Sequence, residues 1–125
     1  MLDRLGKGII GRMEEPEVAG TETGTGKRYV GERTIDGCQV LVDGEPLDEA
    51  LEVRAISSDG FEWSYEGEGP EQLAFAILYD HFGDAERASA RCTSFMRAVV
   101  ANFNNDWEMT THDIDRALEN IGTTA

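Results

Sequence analysis

The sequence predicts an α+β domain: a small antiparallel sheet of three to four strands, followed by two or three helices packed on one of its faces. Segments of β-type composition, separated by turn dipeptides, fill residues 27–66, whereas apolar residues at helical spacing fill residues 70–121. The connections between these segments are short. Strands that come first, helices that come second and short connections are together typical of an α+β fold. We therefore expect a single globular domain over residues 27–122.

Residues 1–26 are predicted to form a flexible N-terminal tail. Six of them are glycine, and the apolar positions 2, 5, 9 and 13 form only a weak helical stripe. Each glycine inside a helix costs about 1 kcal/mol relative to alanine. No apolar run of the chain approaches the roughly 18–20 residues of a membrane helix, and the first residues lack the apolar stretch of a secretory signal. We expect a cytoplasmic protein that does not enter a membrane.

A hairpin opens the domain. Residues 27–33 have the composition of a strand, and Asp36-Gly37 is a hairpin-turn dipeptide. Residues 38–43 are therefore expected to pair with the first strand, up to a second turn at Asp43-Gly44.

Two further strands are predicted before the helices. Residues 51–56 alternate apolar and polar side chains in their first half, as a half-buried strand does, and a helix over residues 47–54 is the alternative. Residues 61–65 alternate throughout. The side chains that this strand would place on one face are Phe61, Trp63 and Tyr65.

Two long helices follow. The first is predicted to begin at Gly69-Pro70, because proline suits the first helical position, and to end at Gly83. Its apolar arc is wide, which indicates contacts on two sides. The second begins after an N-cap at Asp84 and follows an almost uninterrupted apolar stripe to Phe103.

The last part of the domain is predicted to be a short strand or extended link and a third helix. Trp107–Met109 is the extended part. Thr110 and Asp113 form a capping-box pattern at the start of the helix, which Gly122 is expected to end.

The charge is strongly negative, since 25 acidic and 11 basic side chains give a formal net charge of −14. The basic side chains are nine arginines and two lysines. At molar salt the Debye length is about 3 Å, so such a charge repels itself little, and carboxylates keep a surface hydrated. The sequence therefore predicts a halophilic source.

The acidic residues are densest from Asp43 to Glu68, where nine acids and one base give −8. A solvated, salt-adapted surface is the expectation. A DNA-mimicking or basic-partner surface and a cation site are the alternatives, although no calcium-loop motif is present. Nucleic-acid binding is not expected, because the basic residues are few and dispersed.

No catalytic, cofactor-binding or metal-binding residue is predicted. The serines lack a nucleophile-elbow motif, and Gly-Thr-Gly at 24–26 is too short for a nucleotide-binding loop. The two cysteines, Cys38 and Cys92, are not in CxxC spacing, and we expect both to be reduced and buried.

Five residues are candidates for binding. Trp63 and Tyr65 either form a stacking platform or pack beneath the helices. Gln72 lies near a helix N-terminus, where anions bind. His81 is expected to be an ordinary residue at the end of a helix. Trp107 is expected either to fill the edge of the core or to border a site.

Several motifs together resemble a small uncharacterised domain found in bacterial, phage and haloarchaeal proteins. They are the aromatic strand at 61–65, Gly69-Pro-Glu-Gln-Leu-Ala, Phe95-x-x-x-Val-Val-Ala and Trp107-x-Met-Thr. The likeness covers about residues 28–118, with a longer loop at 47–59. It implies a compact α+β domain and brings no known activity. We therefore expect a non-enzymatic binding or regulatory module with an unknown protein partner. The alternatives are an acidic DNA mimic or protein inhibitor, and a small hydrolase that uses a carboxylate with His81.

The charge leads to a first prediction: thermal stability rises between low salt and molar KCl, because screening removes repulsion among the excess carboxylates. A gain of 1 kcal/mol would raise the melting temperature by about 4 °C for a chain of this length. Thermal unfolding followed by circular dichroism, with sucrose at matched osmolality as control, measures it. An unchanged melting temperature would contradict the halophilic source.

Overall fold

The structure, a computed structural model, describes residues 26–124. The elements in chain order are β1 (Arg28–Thr34), β2 (Gly37–Val42), β3 (Glu45–Pro46), α1 (Glu68–Phe82), α2 (Ala85–Ala98), a 3-10 helix (Val100–Asn102), β4 (Trp107–Thr110) and α3 (Thr111–Thr124). The predicted α+β class, with a four-stranded antiparallel sheet and three helices, is confirmed. The predicted tail lies outside the described residues except for Gly26.

The sheet has the strand order β3-β2-β1-β4, and each neighbouring pair is antiparallel. The first hairpin follows the predicted pairing, with Tyr29 opposite Val42. The turn between β2 and β3 has positive φ at both Asp43 (51°) and Gly44 (85°), as the favoured two-residue hairpin turn requires. The extended segment after the helices is a true strand, since β4 pairs with β1.

The strand predicted over residues 61–65 is wrong. Ser64 has a φ of 81°, in the left-handed region. Its N–H donates to the Val100 carbonyl (3.1 Å), and its hydroxyl donates to the Phe103 carbonyl (2.6 Å). The segment is therefore attached to the 3-10 helix region instead of a partner strand.

The strand predicted over residues 51–56 is also wrong, and so is the alternative helix over 47–54. Ala50 has a φ of 60°, and the N–H groups of Val53 and Arg54 both donate to its carbonyl at 3.0 Å. The chain makes one tight turn here and then continues without regular structure to the start of α1.

The helix ends follow the predicted capping with small shifts. Helix α1 begins at Glu68, so Pro70 is its third residue, and left-handed Gly83 ends it. Asp84 caps α2 by accepting the N–H of Glu86 (2.9 Å).

Two helix ends differ from the prediction. Helix α2 ends at Ala98, and a 3-10 turn replaces its predicted continuation to Phe103. The capping box is present, because Thr110 N–H donates to Asp113 (3.0 Å) and Asp113 N–H to the Thr110 hydroxyl (3.1 Å). Helix α3 continues past Gly122.

Helix α1 is the centre of the core, as its wide apolar arc predicted. Every residue from 72 to 78 is buried, and α1 packs against α2 and the 3-10 helix. The inner face of the sheet contributes side chains to the same cluster. These are Tyr29, Val40, Trp107 and Met109.

The close contact between β1 and Trp107 requires glycine at position 31. A Cβ at Gly31 would lie 2.1 Å from Nε1 and 2.2 Å from Cε2 of Trp107. A glycine inside a strand often marks such a close approach. The Trp107 indole therefore fills the space that a side chain at position 31 would occupy.

Gly31→Ala is expected to lower the free energy of unfolding by about 1–3 kcal/mol, because the Trp107 ring must move within a packed core. Gly26→Ala is the matched control, since a Cβ there would meet nothing within 4 Å, and it should change stability by less than about 0.5 kcal/mol. Urea unfolding measures both variants. Equal stability of the two would refute the packing argument.

Candidate functional site

The candidate site is a cleft between the segment after β3 and the C-terminal half of α1, with a volume of about 470 Å³. Its apolar side chains are Leu47, Ala50, Val53, Ala76 and Tyr79. Its carboxylates are Asp48, Glu52 and Asp80. We call this site, which Gly83 borders at one end, the acidic cleft.

Asp80 is held at the cleft by two donors. Its Oδ2 accepts the Tyr29 hydroxyl at 2.5 Å and the Lys27 ammonium at 3.1 Å. Burial raises the pKa of Tyr29, and the hydrogen bond to Asp80 raises it further. Tyr29 therefore remains a protonated donor, and the Asp80 carboxylate is fixed in place.

The wall opposite α1 contains a strained residue, Ala50. A left-handed conformation costs a residue with a Cβ roughly 1–2 kcal/mol. The Ala50 N–H donates to the Asp48 carboxylate at 2.7 Å, and the preceding carbonyl, that of Glu49, accepts from Gln72 Nε2 at 2.7 Å. Such strain persists where the surroundings enforce it, and it is frequent at functional sites.

Gln72, a predicted binding candidate, is buried and uses its amide within the chain. Its Oε1 accepts the N–H groups of Ile56 (2.6 Å) and Ser57 (3.0 Å). Its Nε2 donates to the carbonyls of Glu49 (2.7 Å) and Arg54 (3.0 Å). An amide side chain has two acceptor and two donor positions, so these four bonds use all of them.

Trp63 and Trp107 lie together in the core. Their rings meet edge to face at 5.7 Å, and Trp107 also stacks on Phe103 at 4.2 Å. The Arg33 guanidinium lies 5.0 Å from the Trp63 ring centroid. Trp63 Nε1 donates to the Asn105 carbonyl, whereas buried Trp107 Nε1 has no hydrogen-bond partner among residues 26–124.

The other two candidates, Tyr65 and His81, make different contacts. The Tyr65 ring is half exposed and covers Gly67. His81 Nε2 contacts the Asp115 carboxylate at 2.8 Å, which links α1 to α3. The structure therefore brings Trp63 and Trp107 into ring contact, whereas the contacts described for Tyr65, Gln72 and His81 are with other residues.

The residues of the acidic cleft were not singled out from the sequence. The available signal was the acidic stretch from Asp43 to Glu68, which includes Asp48 and Glu52. Asp80 follows the longest apolar run of the chain, where a carboxylate marks a change of environment. Neither signal indicates that the two segments meet.

A comparison with protein families identifies the family of this chain. Residues 29–120 match the family model DUF6166, a family of unknown function. The chain belongs to this family. The match agrees with the resemblance that its motifs indicated over residues 28–118. Neither the curated proteins nor the solved structures gave a match to the chain.

Of the two cysteines of this DUF6166 chain, Cys92 is buried as predicted, whereas the prediction was wrong for Cys38, which is only partly buried. Burial raises the pKa of both Cys38 and Cys92, which keeps them as thiols. Residues 26–124 contain no group of three or more His, Cys, Asp or Glu side chains that could hold a metal ion. Nor does any helix among them have the length and apolar character needed to cross a membrane.

Gln72→Ala is expected to lower the free energy of unfolding by at least about 3 kcal/mol, since each buried polar group left without a partner costs about 1–3 kcal/mol. Gln39→Ala, on the exposed part of β2, is the control and should cost less than about 0.5 kcal/mol. Urea unfolding followed by tryptophan fluorescence gives both values. A small loss for both variants would mean that the amide bonds do not hold the loop.

Proposed function

We propose that this domain is a small non-enzymatic binding module, and that the acidic cleft holds a segment of a partner protein. The observation that carries the proposal is the combination, in one cleft, of an apolar floor with carboxylates from two separate parts of the chain. A segment that places apolar side chains beside lysine or arginine complements both features.

The surroundings of the cleft support an extended partner. Val53, within the cleft, is exposed by 43%, and Leu51, outside its lining, by 39%, so the apolar surface continues past the cleft. Lysine and arginine bury their aliphatic stems on apolar surface while their charged ends remain in water. Complementary charge also accelerates encounter and excludes wrong partners.

The acidic excess has a second proposed role, that of adaptation to a salt-rich cytoplasm in a halophilic prokaryote or its mobile elements. Several acids of the stretch from Asp43 to Glu68 already have partners within the domain. Asp43 accepts the Arg28 N–H (2.9 Å), Glu62 pairs with Arg33 (2.8 Å), and Glu66 with Arg97 (3.7 Å). A DNA mimic needs carboxylates that are free and ordered at phosphate-like spacing. Because these acids are paired within the domain, we favour the binding module over a DNA mimic.

The hydrolase alternative has less support than the binding module. It needs His81 beside a carboxylate within a pocket. His81 does contact a carboxylate, that of Asp115. Among the described residues, however, His81 lines neither the acidic cleft nor the cavity that Asp115 borders.

A labelled peptide of alternating leucine and arginine tests the binding module by fluorescence anisotropy. Binding is expected, and Glu52→Lys in the cleft should weaken it about fivefold, since a loss of 1 kcal/mol at a charged contact is about a fivefold change. Glu45→Lys is the matched control: it makes the same charge change on β3, outside the cleft lining.

Absence of binding would refute the proposal. Equal weakening by the two variants would also refute it, because attraction would then depend on net charge and not on the cleft.

A further inference from the structure

We propose that residues 2–13 of the chain itself bind in the acidic cleft, so that a partner must displace them. This inference rests on the proposed function, because it names a regulatory occupant of the same site. Three observations carry it: the composition of this segment, the place where the described chain begins, and the charge of the residues between them.

Residues 2–13 have the composition that the acidic cleft complements. Their apolar side chains are Leu2, Leu5, Ile9, Ile10 and Met13. Their basic side chains are Arg4, Lys7 and Arg12, against one acid, Asp3, so the net charge is 3 − 1 = +2. A chain with −14 overall therefore carries an apolar, basic segment that suits its own acidic cleft.

The described chain begins at the border of the cleft. The Lys27 ammonium donates to Asp80 at 3.1 Å, and Asp80 lines the cleft. Residues 14–26 connect this point to the basic segment. Thirteen residues span at most about 45 Å when extended, which is ample to return to a cleft beside Lys27.

The connecting residues themselves are a poor match for the cleft. Residues 14–26 contain four glutamates and no basic side chain, a net charge of −4. The carboxylates of Asp48, Glu52 and Asp80 repel them. Charge therefore selects residues 2–13 over the nearer part of the chain.

Attachment to the same chain makes even weak binding effective. A short linker gives an effective concentration on the order of 1 mM. If the segment binds with a dissociation constant of about 100 μM, it fills roughly nine-tenths of the clefts. A competing partner then binds about tenfold more weakly than to a free cleft.

Photo-crosslinking in the full-length chain tests the placement. Benzoylphenylalanine replaces Ile9 in one variant and Val18, in the acidic connection, in the control. After irradiation, the Ile9 variant is expected to give crosslinks within one chain to residues 47–53 or 76–83, mapped by mass spectrometry. Glu52→Lys should reduce their yield at least about threefold.

Two crosslinking outcomes would overturn the inference. In one, the label at position 18 reaches the cleft as efficiently as the label at position 9. In the other, cleft crosslinks occur only between two chains, which would assign the occupant to a second copy.

Competition separates this inference from the proposed function. In the double variant Leu5→Asp and Ile9→Asp, the leucine–arginine peptide is expected to bind about tenfold more tightly than in the unaltered chain. Unchanged peptide affinity would overturn the inference and leave the binding module intact. If neither chain binds the peptide while the Ile9 crosslinks persist, the binding module fails and the internal contact stands.

Discussion

One buried side-chain amide, that of Gln72, holds the part of the domain that has no regular structure. The connection from residue 47 to residue 67 is longer than most loops in compact domains, and its buried backbone groups need partners. Gln72 bonds four of them from a fixed position on α1. The strained turn at Ala50, and with it one wall of the acidic cleft, depends on this anchor. The site is thus positioned by the most deeply buried helix of the fold.

The parts of the fold that sequence predicted well are those decided by local chemistry. The turn at Asp43-Gly44, the cap at Asp84 and the capping box of Thr110 and Asp113 each depend on residues within four positions of one another. The helical stripes are equally local. Such signals are readable because their partners are near in the chain.

The errors come from partners that lie far away in the chain. Alternation at 51–56 and 61–65 resembles a strand, but a strand also needs a neighbour with free backbone groups. The N–H groups of Ile56 and Ser57 bond Gln72, and that of Ser64 bonds Val100. The acidic cleft could not be predicted from the sequence for the same reason, because it forms where this irregular segment meets α1. Of the candidate residues, Trp63 and Trp107 are buried in the core, as one of the two interpretations held.

The pairing of β4 with β1 has a consequence for how the chain is made. Lys27 N–H donates to Thr111 Oγ1 across a separation of 84 residues, so one side of β1 stays unpaired until nearly the whole domain has left the ribosome. At roughly 5–20 residues per second, this interval is about 4–17 seconds. During it, an early hairpin presents an open strand edge that can pair with other nascent chains. The charged side chains of β1, Arg28, Glu32 and Arg33, are of the kind that disfavours pairing along an exposed strand edge.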